Sequence, residues 1–363
     1  MPFRAFLLTL MLLAAPTLAA AKPIEAKPIE IRVVIVTTWE VTNNGQDVFG
    51  ELQAWRTRWP LTTELPFPIG IHPLLYDPKR HVLAIVTGMA TARAAASITA
   101  LGADPRFDLT HAYWIVAGTA GVDPKVGSAG SAAWARWVVD GDLAQELDPR
   151  DAPPDWPTGI VPYDRATPYA APTPALVGQN AGVAYALNPA LADWAYARTR
   201  DTKLPDDALL AKLRVPYSGV DGGLGAAPPF VLEGEGLMSA RTWYGEKLND
   251  WARQWVSYWT GGKGVFAMSA EEDTGVMQGL SFLAHAGRAS LDRVLILRAG
   301  SDYTIPPPGM SGAAFLAKET AESFPATPEA LNGLYLVASP VASYLADNWS
   351  RTRDHIPQPT PSH

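Results

Sequence analysis

Residues 31–36 read Ile31-Arg32-Val33-Val34-Ile35-Val36. A nearly continuous apolar run of this kind belongs to a strand buried on both faces, as in parallel sheets. His81-Val82-Leu83-Ala84-Ile85-Val86, Tyr113-Trp114-Ile115-Val116-Ala117 and Val294-Leu295-Ile296-Leu297 repeat the pattern, and Gly264-Val265-Phe266-Ala267-Met268 is a weaker instance. Helical stretches lie between them. Thr91 to Leu101 is alanine-rich and free of breakers. Pro189 to Arg200 opens with Asn188 as its N-cap and proline at the first helical position. Glu246 to Trp259 sets Leu248, Trp251, Trp255 and Tyr258 at helical spacing, and Asp273–Ala286 and Pro328–Asn348 complete the set. Strands alternating with helices predict an α/β fold with a mostly parallel central sheet.

Around this alternation the chain divides simply. Met1 to Ala21 carries one cation, Arg4, then an apolar run from Ala5 to Ala15 and a small-residue end, Leu18-Ala19-Ala20-Ala21. That is the pattern of a secretory signal peptide cut near Ala20 or Ala21, and its core is short for the ~20 apolar residues a bilayer span needs. A periplasmic or secreted location follows as the expectation, with no stable membrane insertion once the signal is removed. Residues 22–30 complete the tandem AKPIE-AKPIE and read as a linker. A single domain is expected over 31–350, with a tail over 351–363. Eight prolines between Pro149 and Pro174 exclude a helix or central strand there. This stretch reads as a surface excursion, because the alternation resumes after it.

Composition removes several classes of function. The 363 residues are 48% hydrophobic and 18% charged, which is ordinary globular chemistry. A net charge of −7 argues against binding nucleic acid by phosphate neutralisation. The chain has no cysteine, so thiolate catalysis, disulfides and Fe–S clusters are excluded, and its six histidines form no HExxH pattern. No metal site and no redox cofactor are expected.

In open α/β sheets ligands bind beyond the carboxyl ends of strands. Three places fit. At Thr87-Gly88-Met89-Ala90-Thr91 a strand runs into a helix start, where free N–H groups suit a polar ligand. At Ala117-Gly118-Thr119-Ala120-Gly121 glycines permit close backbone approach, yet the segment is neither a P-loop nor GxGxxG. At Arg298-Ala299-Gly300-Ser301-Asp302 a carboxylate follows an apolar strand, and Glu271-Glu272-Asp273 places three acids together before a helix. One acid would suffice to complement the helix dipole. The Arg241-Thr242-Trp243-Tyr244-Gly245 segment offers aromatic faces for base stacking or for packing.

The order Thr87-Gly88-Met89, Ala117-Gly118-Thr119-Ala120-Gly121, Glu271-Glu272 and Arg298-Ala299-Gly300-Ser301-Asp302 resembles the nucleoside phosphorylase superfamily. More closely, it resembles the branch known as purine nucleoside permeases, over about Ile31 to Asn348. The resemblance implies a three-layer, nucleoside phosphorylase-like α/β fold and a purine nucleoside as ligand. It implies that Asp302, beside Ser301, protonates the purine at N7, and that Glu272 binds the ribose hydroxyls. Glu271 falls where relatives carry methionine under the sugar. Gly118 and Thr119 fall where relatives bind phosphate or the attacking water, and Gly88 and Met89 fall on the loop near the ribose. Phosphorylases of one branch place an arginine just before the Gly-Ser turn. Here Ile115-Val116-Ala117 supplies no cation, so Arg93, Arg56 or Arg58 would have to substitute, and the loss favours hydrolysis over use of phosphate as co-substrate. Relatives assemble into symmetric oligomers, which makes a homo-oligomer the corresponding expectation.

Two functions follow as expectations. One is an exported enzyme that cleaves the N-glycosidic bond of purine nucleosides, by water or by phosphate. The other is a non-catalytic nucleoside-binding component of a transport system. An acid at N7 together with a clamp on the sugar is what cleavage demands, and this favours the enzyme.

Overall fold

The computed structural model describes residues 27–43, 46–163, 165–168, 182–220, 222–322 and 324–359. The expected signal peptide, most of the linker and part of the proline-rich excursion lie outside these residues. The linker's last two residues, Ile29–Glu30, already pair in parallel with Phe107–Asp108.

The elements that build the site follow in chain order. They are β1 (Val33–Thr37), β2 (Val82–Val86), α1 (Thr91–Ala103), β3 (Tyr113–Val122), β4 (Ala132–Trp134) and α2 (Pro189–Thr199). Then come β5 (Glu235–Met238), α3 (Glu246–Trp259), β6 (Phe266–Ala270), α4 (Asp273–His285), β7 (Val294–Tyr303), α5 (Gly312–Glu322) and α6 (Thr327–Asp347). The Asn188 side chain caps α2 as expected, accepting from the N–H groups of Ala190 and Leu191.

A mixed sheet of 12 strands forms the centre. β1 pairs in parallel with β2 on one side and β3 on the other, and β3 pairs in parallel with β7. Side chains alternate between two buried faces. Val34, Leu83, Trp114 and Ile296 meet Ile98 of α1 and Leu280 of α4 on one face. Val33, Ile35, Ile115 and Leu295 meet Leu334, Val337, Val341 and Leu345 of α6 on the other. The fold is therefore a three-layer α/β structure with its sheet buried on both sides, as the apolar runs require. A separate cluster gathers Trp251, Trp255 and Trp259 of α3 against Phe266 and Leu237.

Two strands run further than their apolar cores. β3 and β7 each span 10 residues, so Gly118–Thr119 lies in a strand rather than a turn, and Asp302 lies within β7 rather than after it. The reason is continued pairing. The far end of β3 gains β6 as an antiparallel neighbour through Met268↔Val122 and Ser269↔Gly121, while β4 runs antiparallel along β7.

The proline-rich excursion contributes a two-stranded antiparallel ribbon, Ala144–Glu146 with Ile160–Pro162, outside the central sheet. Near the C-terminus the chain stays bound beyond residue 350. The Tyr113 hydroxyl donates to the Thr352 carbonyl at 2.7 Å, and Arg293 donates to the carbonyls of Thr352 and Arg353.

Candidate active site

A cavity of about 380 Å³ opens beside residues 119–121 of β3, residues 269–270 at the end of β6 and residues 301–302 of β7. This is within the size range of small-ligand pockets. Met89, Thr119, Trp243, Glu271, Glu272, Ser301 and Asp302 all line it, so residues far apart in the chain are brought to one place. Thr38, Trp39, Arg241, Thr242, Arg298 and Phe324 add to the wall.

Asp302 owes its place to a β-bulge. The register between β7 and β3 pairs Gly300 with Ala120 and then Asp302 with Gly121, which leaves Ser301 unpaired. The Ser301 hydroxyl turns back to donate to Asp302 Oδ1 at 3.1 Å. The carboxyl is 8% exposed. Burial pushes its pKa up to about 6, against the opposing pull of the Ser301 and Tyr244 hydroxyls. Behind it on α5, burial and the charge of Asp302 lift Glu319 to about 7.

Arg298 is the buried cation of the site, and it comes from the same strand. It donates to Asp273 through Nε and Nη2, to Glu272 through Nη2 at 2.9 Å and to the Thr119 carbonyl through Nη1 at 3.0 Å. None of the three proposed substitutes takes this place. Arg58 bonds Asn332 and lies over Tyr335, Arg93 runs beside Gly88, and neither they nor Arg56 line the cavity. Arg298 carries no helical or strand periodicity signal beyond its own motif, which is where it could have been found.

Glu51 is the functional candidate that the sequence hides. It is 3% exposed and stands behind the cavity floor. Its carboxylate accepts from the backbone N–H groups of Thr119 (2.7 Å) and Thr38 (2.6 Å) and from both threonine hydroxyls. Burial raises its pKa, and Glu272 adds to the rise while Arg298 opposes it. Phe49-Gly50-Glu51-Leu52 forms no motif, and only the tertiary fold reveals it.

Glu272 is the N-cap residue of α4 and is 4% exposed. One carboxylate oxygen meets Arg298 and the other accepts the Ala90 N–H at 3.3 Å. The loop before α1 is contorted to deliver that N–H. Gly88 has φ +82°, and Ala90 has φ +73°, a region that costs a non-glycine residue about 1–3 kcal/mol. Helix α4 reaches this loop because Gly275 has no side chain: a Cβ there would collide with the Thr91 carbonyl.

The remaining candidates stand on or behind the wall. Gly88 and Gly118 do not line the cavity; a Cβ on Gly118 would run into Arg298 and Glu51. Trp243 lines it but also packs edge-on against Trp251, with centroids 5.9 Å apart. Tyr244 stands behind the wall against Phe315, its hydroxyl buried without a partner in hydrogen-bonding geometry and beside Asp302.

The site thus combines a carboxyl whose pKa burial raises, a carboxylate fixed on the same cavity wall and a floor of acids around the buried Arg298 guanidinium. Residues 30–357 match the purine nucleoside permease (NUP) family. A probable purine nucleoside permease of Schizosaccharomyces pombe is 26% identical over 277 residues, covering 75% of this chain and 78% of that protein. A purine nucleoside permease of Candida albicans is 29% identical over 276 residues, 74% of this chain and 65% of that protein. Among solved structures, the futalosine hydrolase of Helicobacter pylori aligns at TM-score 0.49 with 11% identity over 88% of this chain and 98% of its own. A 5′-methylthioadenosine/S-adenosylhomocysteine nucleosidase from Neisseria meningitidis aligns at TM-score 0.46 with 14% identity, over 86% and 99% respectively. With its match spanning nearly the whole described chain, the protein belongs to the purine nucleoside permease family.

Proposed function

We propose that this protein binds purine nucleosides and cleaves their N-glycosidic bond with water. The observation that carries the reading is the buried Asp302 carboxyl, which keeps its proton up to about pH 6 on the wall of the cavity that Glu272 also lines. Breaking the bond from C1′ to the purine leaves positive charge on the sugar and negative charge on the base. Asp302 gives its proton to N7 of the departing base. Glu272 holds the ribose hydroxyls and stabilises the cationic sugar. Water forms the new bond at C1′, and its proton passes through the Thr119 hydroxyl to Glu51, which burial has made a better proton acceptor.

The floor favours water over phosphate. Glu51, Glu272 and Asp273 surround the single guanidinium of Arg298, and every Arg298 nitrogen already donates within the protein. A phosphate dianion on this floor would meet three acids and one engaged guanidinium, while Arg241 on the wall leans toward Asp142 and Glu146. The proposed cellular setting is the periplasm or the exterior, on the strength of the signal-like residues 1–21.

A second reading is a nucleoside-binding component that passes its ligand to a transporter. The names of the curated relatives favour it. Among the described residues no helix is long and apolar enough to cross a membrane. Incubation with inosine or adenosine, with and without phosphate, separates the readings. Free base without phosphate supports hydrolysis, free base only with phosphate supports phosphorolysis, and binding without release supports the carrier.

A further inference from the structure

Glu271 has an acceptor that the protein does not use. Its backbone carbonyl accepts the Thr91 hydroxyl at 2.9 Å, and its Oε1 accepts the Thr242 hydroxyl at 3.0 Å, so the residue is fixed at both ends on the cavity wall. Among the described residues no other donor reaches the carboxylate, and no cation pairs with it. Of the nearby cations, Arg298 is held by Asp273, Glu272 and Thr119, and Arg241 leans away toward Asp142 and Glu146 at 3.9 and 3.7 Å. Helix α4 does not need Glu271 either, since Asp273 supplies the acid of its first turn. A half-buried carboxylate offers about four lone-pair sites, and here one is filled. A neutral ligand satisfies the rest with hydroxyl donors.

We infer that Glu271 selects the substrate class of this pocket: its unoccupied oxygen receives the 5′-hydroxyl of a ribonucleoside whose 2′ and 3′ hydroxyls lie on the adjacent Glu272. The inference rests on the nucleoside reading above and deepens it. Intact ribonucleosides are then the substrates, and 5′-deoxy or 5′-thio nucleosides leave the carboxylate desolvated and unpaired. A buried group left without its hydroxyl discriminates strongly, and partial exposure at Glu271 reduces this to about 10–100-fold.

The test compares adenosine with 5′-deoxyadenosine by calorimetric titration of the full chain carrying Asp302→Asn, which prevents consumption of the ligand. The expected preference for adenosine is at least tenfold. Adding Glu271→Met should bring the ratio below about threefold by weakening adenosine while sparing 5′-deoxyadenosine. Glu271→Gln, which keeps the shape, serves if the methionine variant fails to fold, and it should reduce the ratio severalfold. An unchanged ratio in the folded variant, or a parent protein that prefers 5′-deoxyadenosine, overturns the inference and leaves the nucleoside reading standing. Binding of neither compound overturns both.

Discussion

The Arg298 guanidinium donates to Glu272 across 2.9 Å, and both side chains are almost wholly buried. The same guanidinium holds Asp273 and the Thr119 carbonyl, so one side chain from β7 fixes the start of α4 and the far end of β3. A charge taken this far from water is costly unless its partners are complete. Here the completeness of the set is what keeps Glu272 at the cavity wall with a defined orientation.

Removing that cation should therefore damage stability as well as activity. Arg298→Met leaves Glu272, Asp273 and Glu51 without their shared partner. A loss of about 3–5 kcal/mol is expected from the unpaired buried acids, measured by urea denaturation. A variant as stable as the parent would contradict the assignment of Arg298 as the site's central cation.

Asp302→Asn keeps the side chain's shape and removes the transferable proton. Turnover of inosine or adenosine should fall by ~10²–10⁴-fold, the usual worth of a general acid. Affinity should stay within about tenfold, because the sugar contacts remain. Steady-state rates and titration of the same preparation separate the two effects.

The pH profile follows from the raised pKa of Asp302. The active form is protonated, so kcat/KM should fall as pH rises above about 6. Stability moves in the same direction. Between the ordinary value of 3.8 and about 6 the folded protein binds more protons at this residue than the unfolded chain does. Stability from this group is thus complete below the ordinary value and is lost as pH rises through about 6. Comparing the parent with Asp302→Asn in urea melts across this window should show a slope present only in the parent.

Gly118→Ala tests the floor without replacing a titratable residue. The added methyl would strike the Arg298 guanidinium and the Glu51 carboxylate. The expected cost is about 1–3 kcal/mol of overpacking, with activity falling more than binding. A neutral result in thermal melts and rates would show that Arg298 and Glu51 are not fixed there.

Much of this arrangement was legible in the residues themselves. The apolar runs named β1, β2, β3 and β7 because strands buried on both faces have no polar side to disguise them. Asn188 and Pro189 marked a helix start by their own chemistry, and the capping bonds are present. Strand ends were harder. Gly118–Thr119 reads as a turn because glycine punctuates most chains, but parallel pairing with Arg298–Ala299 of β7 carries the strand onward. Asp302 was found by motif, while the bulge that aims it depends on register with β3 and leaves no trace in its neighbours. Glu51 was invisible for a related reason: its partners, Thr38 and Thr119, lie 13 and 68 residues away.

Release of free purine from inosine in phosphate-free buffer, followed by chromatography for the parent and Asp302→Asn side by side, is the decisive measurement of cleavage. The parent should release purine without phosphate, and the variant should lose nearly all release while binding persists. Tight nucleoside binding by the parent with no release under either condition, or equal release by the two proteins, would contradict this expectation.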